Sequence, residues 1–382
     1  MLTHVRILFL DHVGDLGGAE LCLLELSSRL KDSCEVLLLQ PGPLQDLLEE
    51  RGVTQRFIQA PERFVAASRE GGLSQAAAFG SVLGLARQVA TAAKDFDVIV
   101  ANSQKAFVVA ALAGRLGRTK VVWYLHDILS AEHFSRFNRK LTTYLANQHA
   151  RGVLANSKAS ETAFRAGGGH ADVKIVYNGF SAEPFDGVSE TEVAALRRDL
   201  HLDSFTVGIF GRLSPWKGQD VFLKALAQTE GIEAVIVGEA LFGEEDFAAN
   251  LRTFVKDLGL QERVRFLGFR SDIPRLMKTC DVVVHASTAP EPFGRVIVEG
   301  MLASRAVIAA GAGGVTEILE HEQTGLLVSP NDPSALAAAL QRLQNDEGLR
   351  STLANAGRRH AEATFSHEAA VGALRGALES WL

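Results

Sequence analysis

The sequence has few cysteines and no long apolar run, and each shortage excludes a class of protein. Its 382 residues include three cysteines, Cys22, Cys34 and Cys280, which are far apart and form no Cys-x-x-Cys pair. A disulfide-stapled module and a zinc or redox site of that type are excluded, and a reducing, cytoplasmic compartment is expected. No apolar stretch approaches the ~18 residues that a bilayer-spanning helix needs, so membrane contact would be peripheral, at the inner face.

The sequence also lacks an excess of positive charge. Lys and Arg number 39 against 45 Asp and Glu, which gives a formal net charge of −6. Without a global positive field to hold DNA or RNA, nucleic acid is not expected as a partner. Hydrophobic residues make up 47% of the chain, which is typical of a globular protein with a large core, and the length predicts two domains.

Several common site motifs are absent. No Walker A pattern occurs, and the first glycine-rich turn is not Gly-x-Gly-x-x-Gly, so neither a P-loop nucleotidase nor a nicotinamide cofactor is expected. The two His-Glu pairs lack a second His four residues on, which excludes a zincin site. Asp95-Phe96-Asp97 spells Asp-x-Asp but precedes a strand candidate, so we interpret it as a solvated loop pair. We expect neither a metal nor a cofactor.

Short β-branched and leucine-rich runs alternate with longer segments of helical period, which predicts α/β domains built on parallel sheets. The strand candidates form two series: residues 5–10, 35–39, 97–101, 120–125, 152–155 and 173–177, then 205–211, 233–237, 263–267, 281–285, 306–310 and 325–328. Residues 178–203 separate the series and are the expected linker. Helices are predicted over 333–344 and 367–380. Open α/β sheets bind ligands at the carboxyl ends of their strands, so a cleft between two such sheets is the expected site.

Two strand-to-turn segments suit an anion. The first strand runs into a turn with Gly14, Gly17 and Gly18, where backbone N–H groups could approach a ligand at a helix end, although chain geometry alone would also need glycine. The second series opens with a strand that ends in Gly211-Arg212, and Lys217 follows before the next helix. Two cations in one loop suit a diphosphate, with surface solvation as the alternative.

The most informative stretch runs from Glu291 to Glu299. Pro292 disfavours helix at Glu291, and a helix is predicted to begin near Gly294. Glu291 then lies in a loop at the carboxyl edge of the sheet, and Glu299 lies ~7–8 Å along the helix axis. Two such carboxylates would accept hydroxyls from one extended ligand, or one would be exposed and the other paired internally. The turn at Gly313-Gly314 would supply further backbone donors or simply be tight.

In this order, the residues resemble the retaining glycosyltransferases of family 4. The Glu-x7-Glu motif at 291–299 is the strongest element. It is backed by Gly17-Gly18-Ala19-Glu20, His126, Ala155-Asn156-Ser157, Tyr177-Asn178-Gly179, Gly211-Arg212 with Lys217, Val237-Gly238-Glu239, and Gly313-Gly314 with Glu317. The resemblance implies the GT-B fold, with two Rossmann-like doubly wound parallel-sheet domains facing a cleft. Residues 1–183 would form the acceptor-side domain, 184–364 the donor domain, and 365–382 a helix that crosses back to the first.

The resemblance also implies the substrates and the roles of residues. The donor would be a nucleotide-diphosphate sugar, with UDP- and GDP-sugars favoured. Arg212 and Lys217 would bind its diphosphate, Glu291 and His126 would hold the transferred sugar, and Glu299 would hold the ribose. Further donor contacts would come from Gly17, Gly18, Glu239, Phe269, Arg270, Phe293, Gly294, Val296 and Ile297, and from Arg295, a variable position that could instead touch acceptor or solvent.

The acceptor would be a sugar- or lipid-linked hydroxyl. Residues 63–88 and 130–150 would line its side, with Asn178, Arg136 and Arg139 as contacts. The segment 130–150 mixes cations with aromatics, so it would recognise an anionic or lipid-linked acceptor, rest on a membrane, or form a solvated amphipathic helix. The expected function is retaining, metal-independent sugar transfer in glycan, glycolipid or polysaccharide biosynthesis. The alternatives are a sugar-nucleotide epimerase of the same fold and a catalytically silent nucleotide-sugar-binding protein.

Overall fold

The structure, a computed structural model, describes residues 5–65, 75–130, 134–240 and 243–382. Its contacts divide the chain into two compact units. Unit 1 comprises Met1–Gly179 and His367–Leu382, and unit 2 comprises Phe180–Ser366. The domain limits expected from the sequence, at 183 and 364, stay a prediction.

Unit 1 contains a sheet of parallel strands flanked by helices. The strands are β1 (Ile7–Asp11), β2 (Cys34–Leu38), β3 (Gln55–Phe57), β4 (Val98–Ala101), β5 (Lys120–Leu125), β6 (Gly152–Ala155) and β7 (Val173–Ile175). The helices are α1 (Gly18–Arg29), α2 (Pro43–Glu50), α3 (Glu62–Val65), α4 (Gln75–Ala92), α5 (Gln104–Gly117), α6 (Arg136–His149) and α7 (Lys158–Ala166). The strand order is β3-β2-β1-β4-β5-β6-β7.

Unit 2 repeats this architecture. Its strands are β8 (Phe205–Phe210), β9 (Ile232–Val237), β10 (Val264–Gly268), β11 (Val282–His285), β12 (Ala306–Ala310) and β13 (Leu326–Val328), in the order β10-β9-β8-β11-β12-β13. Its helices are α8 (Glu183–Asp186), α9 (Glu190–Asp199), α10 (Gln219–Leu226), α11 (Glu245–Asp257), α12 (Ile273–Thr279), α13 (Arg295–Leu302), α14 (Val315–Ile318), α15 (Pro333–Asn345) and α16 (Glu347–Thr364). The predicted class, two Rossmann-like parallel-sheet domains, is confirmed.

In each sheet the order of the strands reverses at one place, the topological switch point. Ligands of open α/β sheets bind there, at the carboxyl ends of the strands. In unit 1 this switch lies between β1 and β4, where Leu10 pairs with Ala101. In unit 2 it lies between β8 and β11, where Ile209 pairs with Val284. The residues that follow these pairs are therefore brought side by side at each switch.

The strand candidates all correspond to strands, but β3 was not predicted. Its sequence, Gln-Arg-Phe, has no apolar run because it lies at the edge of the sheet, beside β2 only, with its side chains largely in contact with solvent. An edge strand needs no apolar residues on both faces, so its hydrophobic signal is weak.

The linker prediction for 178–203 was wrong over most of its length. The chain passes between the units after Gly179, and the segment then forms α8 and α9 as part of unit 2. Helix α9 begins with a capping box at Ser189 and Glu192. Arg197 Nη1 donates to the carbonyl of Thr279 at 2.6 Å, which ties α9 to the end of α12. The loop-forming glycines and Pro184 are confined to the first half of the segment.

The last helix, α17 (His367–Trp381), belongs to unit 1, as expected. Ala370, Leu374, Ala377 and Leu378 are buried in the same cluster as β1, β2 and α1. His367 Nε2 lies 3.0 Å from a carboxylate oxygen of Glu25 on α1. Among the described helices, none is both long enough and apolar enough to cross a bilayer.

Candidate functional site

Glu291, which follows β11, is a buried acid of unit 2. Its Oε1 pairs with Nζ of Lys217, accepts a hydrogen bond from Oγ of Ser287 at 2.7 Å, and lies 3.3 Å from Nε2 of His285. Burial opposes ionisation of this carboxyl, but the charges of Lys217 and His285 and their hydrogen bonds hold its pKa well below the usual range. Glu291 is therefore an anion inside the protein.

Two loops must approach each other closely to form this pair, and glycine permits each approach. Gly218, at φ 70°, follows Lys217, and a Cβ there would lie 1.9 Å from the carbonyl oxygen of Ala286. Gly313, at φ 66°, lies against Glu291, and its Cβ would lie 2.3 Å from the Glu291 carbonyl oxygen. Gly314 donates its N–H to that same carbonyl at 2.8 Å. The turn at Gly313-Gly314 thus fixes the Glu291 loop.

Arg212 lies at the same edge, after β8, but contacts a different acid. Its Nε lies 3.6 Å from Oε2 of Glu244, whose Oε1 accepts from Ser214 Oγ at 2.7 Å. Gln219, which is buried at the start of α10, donates to the Arg212 carbonyl at 2.9 Å. The loop that carries both predicted cations is therefore held by α10 beneath it. Lys217 Nζ also lies 4.1 Å from the centroid of the Trp216 ring, a cation–π contact.

Helix α13 begins where the sequence predicted it. Gly294 is its N-cap at φ 114°, and Ile297 and Val298 are buried beneath it. Glu299 is the fifth residue of the helix, and its Oε1 lies 3.4 Å from Nη2 of Arg295. The Arg295 guanidinium in turn lies 4.5 Å from the Phe180 ring centroid. Of the two motif acids, Glu291 is thus buried and paired, whereas Glu299 is partly exposed, with 21% of its side-chain surface accessible.

The remaining predicted donor residues of unit 2 lie along the same edge. Gly238, after β9, donates its N–H to the Gly268 carbonyl at 2.8 Å, which brings Glu239 beside the loop after β10. Phe269 in that loop is 71% exposed, unusual for a phenylalanine, whereas Phe293 is buried. Arg270 is engaged by both oxygens of Asp272, at 2.7 and 2.6 Å. Val296, at the second position of α13, is half-buried.

Unit 1 has a hydrogen-bonded network at its own switch point, after β1 and β4. Asp11, which is fully buried, accepts from the His12 backbone N–H at 2.6 Å and from Nδ2 of Asn102 at 2.6 Å. Oδ1 of Asn102 lies 2.9 Å from Nε2 of His126, the residue after β5. Burial opposes ionisation of Asp11, yet the hydrogen bonds and charge of His12 and the bond from Asn102 lower its pKa.

Glu20 lies beneath the glycine turn of unit 1. A Cβ at Gly17 would lie 2.6 Å from its Oε2, so the carboxyl group folds back onto the start of α1, where Gly18 is the first residue. Burial raises the pKa of Glu20 to about 8, and the charges of Asp11 and Asp127 add to the effect. At neutral pH this carboxyl therefore carries a proton.

The predicted acceptor-side residues are spread over unit 1. Asn178 is buried at 3% exposure, and its Oδ1 has no hydrogen-bond partner among the described residues. Arg136 and Arg139 lie on α6, where Phe137 and Tyr144 are 56% and 60% exposed. Residues 66–74 and 131–133 of the two predicted acceptor segments lie outside the described residues.

Sequence reasoning missed several groups that the fold brings to these sites. His285 and Ser287 surround Glu291, and Asp11 and Asn102 hold His126. Each is a polar residue at or just after the end of an apolar strand. This position in the sequence could have identified them as candidate site residues. Among the described residues, no group of three or more His, Cys, Asp or Glu has the arrangement of a metal site.

Glu20 predicts a pH-dependent stability of unit 1. The folded carboxyl ionises near about 8, whereas in the unfolded chain it ionises near ~4.3. Between these values the folded state holds the extra proton, so the free energy of unfolding falls as pH rises, by roughly 1 kcal/mol per pH unit. We expect Glu20→Gln to be increasingly stabilising relative to wild type from about pH 5 to about pH 8 in urea unfolding. The exposed Glu49→Gln is the control, and an equal difference at all pH values for Glu20→Gln would contradict the assignment.

The chain is similar to known proteins over both units. The family model described as Glycosyltransferase Family 4 matches residues 16–183, and the one described as Glycosyl transferases group 1 matches residues 196–360. Among solved structures, Anabaena Alr3699/HepE in complex with UDP-glucose is 41% identical, with a TM-score of 0.89, over 99% of this chain and 100% of that one.

Two curated relatives are similar over a shorter range. The uncharacterized glycosyltransferase MJ1607 of Methanocaldococcus jannaschii is 33% identical over 48% of this chain and 47% of its own. The D-inositol 3-phosphate glycosyltransferase of Salinispora arenicola is 33% identical over 50% of this chain and 45% of its own. The matched part of the chain spans about half the length of each of these two relatives. The matches to both family models and the full-length similarity to HepE show that the chain belongs to the GT4-like glycosyltransferases with the GT-B fold.

Proposed function

We propose that this protein transfers a sugar from a nucleoside-diphosphate sugar to a hydroxyl of a sugar- or lipid-linked acceptor, with retention at the anomeric carbon and without a metal. The proposal rests on the arrangement at the edge after β8 and β11. There Lys217 pairs with the buried Glu291, and Arg212, in the same loop as Lys217, pairs with Glu244. A UDP-sugar is the favoured donor because the Anabaena relative is described in complex with UDP-glucose, and GDP-sugars come second. Polysaccharide, glycolipid or glycan synthesis would use such a reaction.

The chemistry follows from the charge of the leaving group. Cleavage of the anomeric C–O bond leaves a nucleoside diphosphate whose negative charge must be stabilised. Arg212 and Lys217 would supply positive charge. The N–H groups at the start of α13 form the positive end of its helix dipole and would add to this stabilisation. These groups would do the work that a divalent cation does in other sites. Glu291 would accept hydroxyls of the sugar, and Glu299 those of the ribose.

Retention would come from attack by the acceptor on the same face that the diphosphate leaves. The acceptor proton would pass to a phosphate oxygen of the leaving group, so no side chain need act as base. The pairing of Glu291 with Lys217 supports a binding role for this acid, because a carboxylate with a strongly lowered pKa is a weak base. His126 would contact the transferred sugar, and Glu239 and Phe269 would lie near the base.

The two alternatives predict different products. An epimerase would convert the nucleotide sugar without an acceptor, and a silent binding protein would bind it unchanged. Family membership favours the transferase, since the matching models and relatives are glycosyltransferases.

A donor and acceptor screen tests the proposal. UDP-, GDP- and ADP-sugars are first ranked by thermal shift, since a ligand at about 100 times its Kd stabilises the folded state by about 2.7 kcal/mol. The best donor is then incubated with hydroxyl acceptors in EDTA, and the product is analysed by NMR. We expect transfer with the anomeric configuration of the donor, undiminished by EDTA. Inversion would overturn the same-face mechanism, a strict Mg²⁺ requirement would overturn metal independence, and epimerised donor alone would overturn transfer.

Substitutions at the unit 2 edge test the site. Glu291→Ala, Arg212→Ala and Lys217→Ala should each lower kcat by at least ~10²-fold, the size of one lost transition-state contact. Lys224→Ala is the matched control, because its exposed pair with Asp220 on α10 has no place in the proposed site. If all three site variants kept activity within a few-fold of wild type while Lys224→Ala behaved normally, the site assignment would be withdrawn.

We also propose that α6 rests on an anionic membrane surface. Phe137, Leu141 and Tyr144 follow the i, i+4, i+7 spacing of one helix face, and Phe137 and Tyr144 are mostly exposed. Arg136 and Lys140 are exposed beside them. Aromatic and cationic side chains on one helix are typical of interfacial helices, where apolar burial and attraction to anionic lipid act together.

Liposome flotation tests the α6 surface. Wild type should float with vesicles that contain anionic lipid and not with neutral ones. The triple variant Arg136→Ala, Arg139→Ala, Lys140→Ala should lose most of this binding, whereas Lys31→Ala, Lys94→Ala, Arg115→Ala, at exposed sites elsewhere in unit 1, should keep it. Equal flotation of the two triple variants would contradict a role for α6.

A further inference from the structure

The side chain of Asn102 connects a buried acid to His126. It is 1% exposed and lies just after β4. Its Nδ2 donates to Oδ2 of Asp11 at 2.6 Å and to the carbonyl oxygen of Ala19 at 3.1 Å. Its Oδ1 lies 2.9 Å from Nε2 of His126. All the polar atoms of this amide are therefore engaged.

The two acceptors decide which way the amide points. A backbone carbonyl accepts hydrogen bonds and never donates them, and an ionised carboxylate behaves in the same way. Asp11 is ionised, since hydrogen bonds from His12 and Asn102 lower its pKa despite burial. The NH₂ group must therefore face Asp11 and Ala19, because the reverse orientation would place three oxygens together in a buried site.

This orientation fixes the proton on His126. The amide oxygen of Asn102 can only accept, so Nε2 of His126 must carry the hydrogen. The ring plane is also set, because the imidazole packs on Tyr124 with centroids 4.1 Å apart. An amide achieves this without a negative charge next to the ring, whereas a carboxylate at position 102 would favour the imidazolium form.

We propose that Asn102 and Asp11 are positioning residues that hold His126 in one orientation with the proton on Nε2 during sugar transfer. The inference rests on the proposed function, which gives His126 its contact with the transferred sugar. Asp11 acts indirectly, through its hydrogen bond with Asn102: it orients Asn102, and Asn102 orients His126.

Exchanging the two side chains tests the arrangement. In Asp11→Asn, the new amide must keep its oxygen towards the His12 N–H, so its NH₂ faces the NH₂ of Asn102. In Asn102→Asp, two carboxylates face each other. The double variant Asp11→Asn, Asn102→Asp restores one donor and one acceptor between positions 11 and 102 and again presents an oxygen to Nε2. The oxygen that replaces Nδ2 also faces the carbonyl oxygen of Ala19, and its negative charge lies beside the ring. Asp95→Asn with Asn345→Asp, both at exposed positions, is the control.

Two readouts are measured. The tautomer of the neutral ring is read from ¹⁵N–¹H NMR of histidine-labelled protein, with the His126 signals assigned by their loss in His126→Gln. Initial rates with the identified donor and acceptor give kcat and KM. The tautomer requires only folded protein, so it decides the inference even if no transfer is found.

We expect wild type and the double variant to carry the proton on Nε2, and Asp11→Asn to shift His126 towards the Nδ1–H form. Each single variant should lower kcat by about tenfold, a typical cost of losing a group that orients a functional side chain, with little change in donor KM. The double variant should recover part of that loss, as coupled residues do in a double-mutant cycle. An unchanged tautomer and unchanged kcat in Asp11→Asn would overturn the proposal.

Discussion

Glu291 carries a negative charge almost entirely removed from water, and Lys217 is the cation that makes this possible. Isolated charges of this kind cost several kcal/mol to bury. The cost is offset because two loops from different strands meet closely enough for Lys217, His285 and Ser287 to surround one carboxylate oxygen. The approach requires glycine at 218 and 313. The ion pair therefore depends on the two glycine turns, because without them the loops could not approach each other closely enough to form it.

The same ion pairs hold the cations of this edge in place. Lys217 and Arg212 are held by acids of the protein itself, Glu291 and Glu244. Their positive ends are therefore fixed in place before any substrate arrives, and preorganised charge is what stabilises a developing anion most effectively. A ligand diphosphate would enter a site where the cost of orienting these cations has been met during folding.

Unit 1 also has a buried carboxylate at the switch point of its sheet, but different groups stabilise it. There the buried anion is Asp11, and its partners are a backbone N–H, an imidazole and an amide in place of an ammonium group. Hydrogen bonds from His12 and Asn102, together with the charge of His12, lower the pKa of this carboxyl despite its burial, and the same Asn102 amide contacts His126. Burial raises the pKa of the nearby Glu20 to about 8, and the negative charges of Asp11 and Asp127 add to the effect.

Much of this could be predicted from the sequence, because parallel strands buried on both faces leave a strong apolar signal and the Glu291–Glu299 spacing is specific. The sequence by itself determined the two-sheet architecture, the start of α13, and the position of Glu291 after β11. No apolar run marked β3. Residues 178–203 resembled a linker because their glycines and Pro184 precede helix α9. Only the tertiary structure decided which polar residues meet: His285 with Glu291, Gly313 with the same loop, and Asp11 with Asn102 and His126. Gly313 and Glu291 follow different strands, and Asp11, Asn102 and His126 lie at or just after the ends of different strands and are brought together by sheet register, a long-range property that local sequence does not encode. His285 and Glu291 stand at the end of one strand and in the loop after it, and the folded path of that loop brings them together.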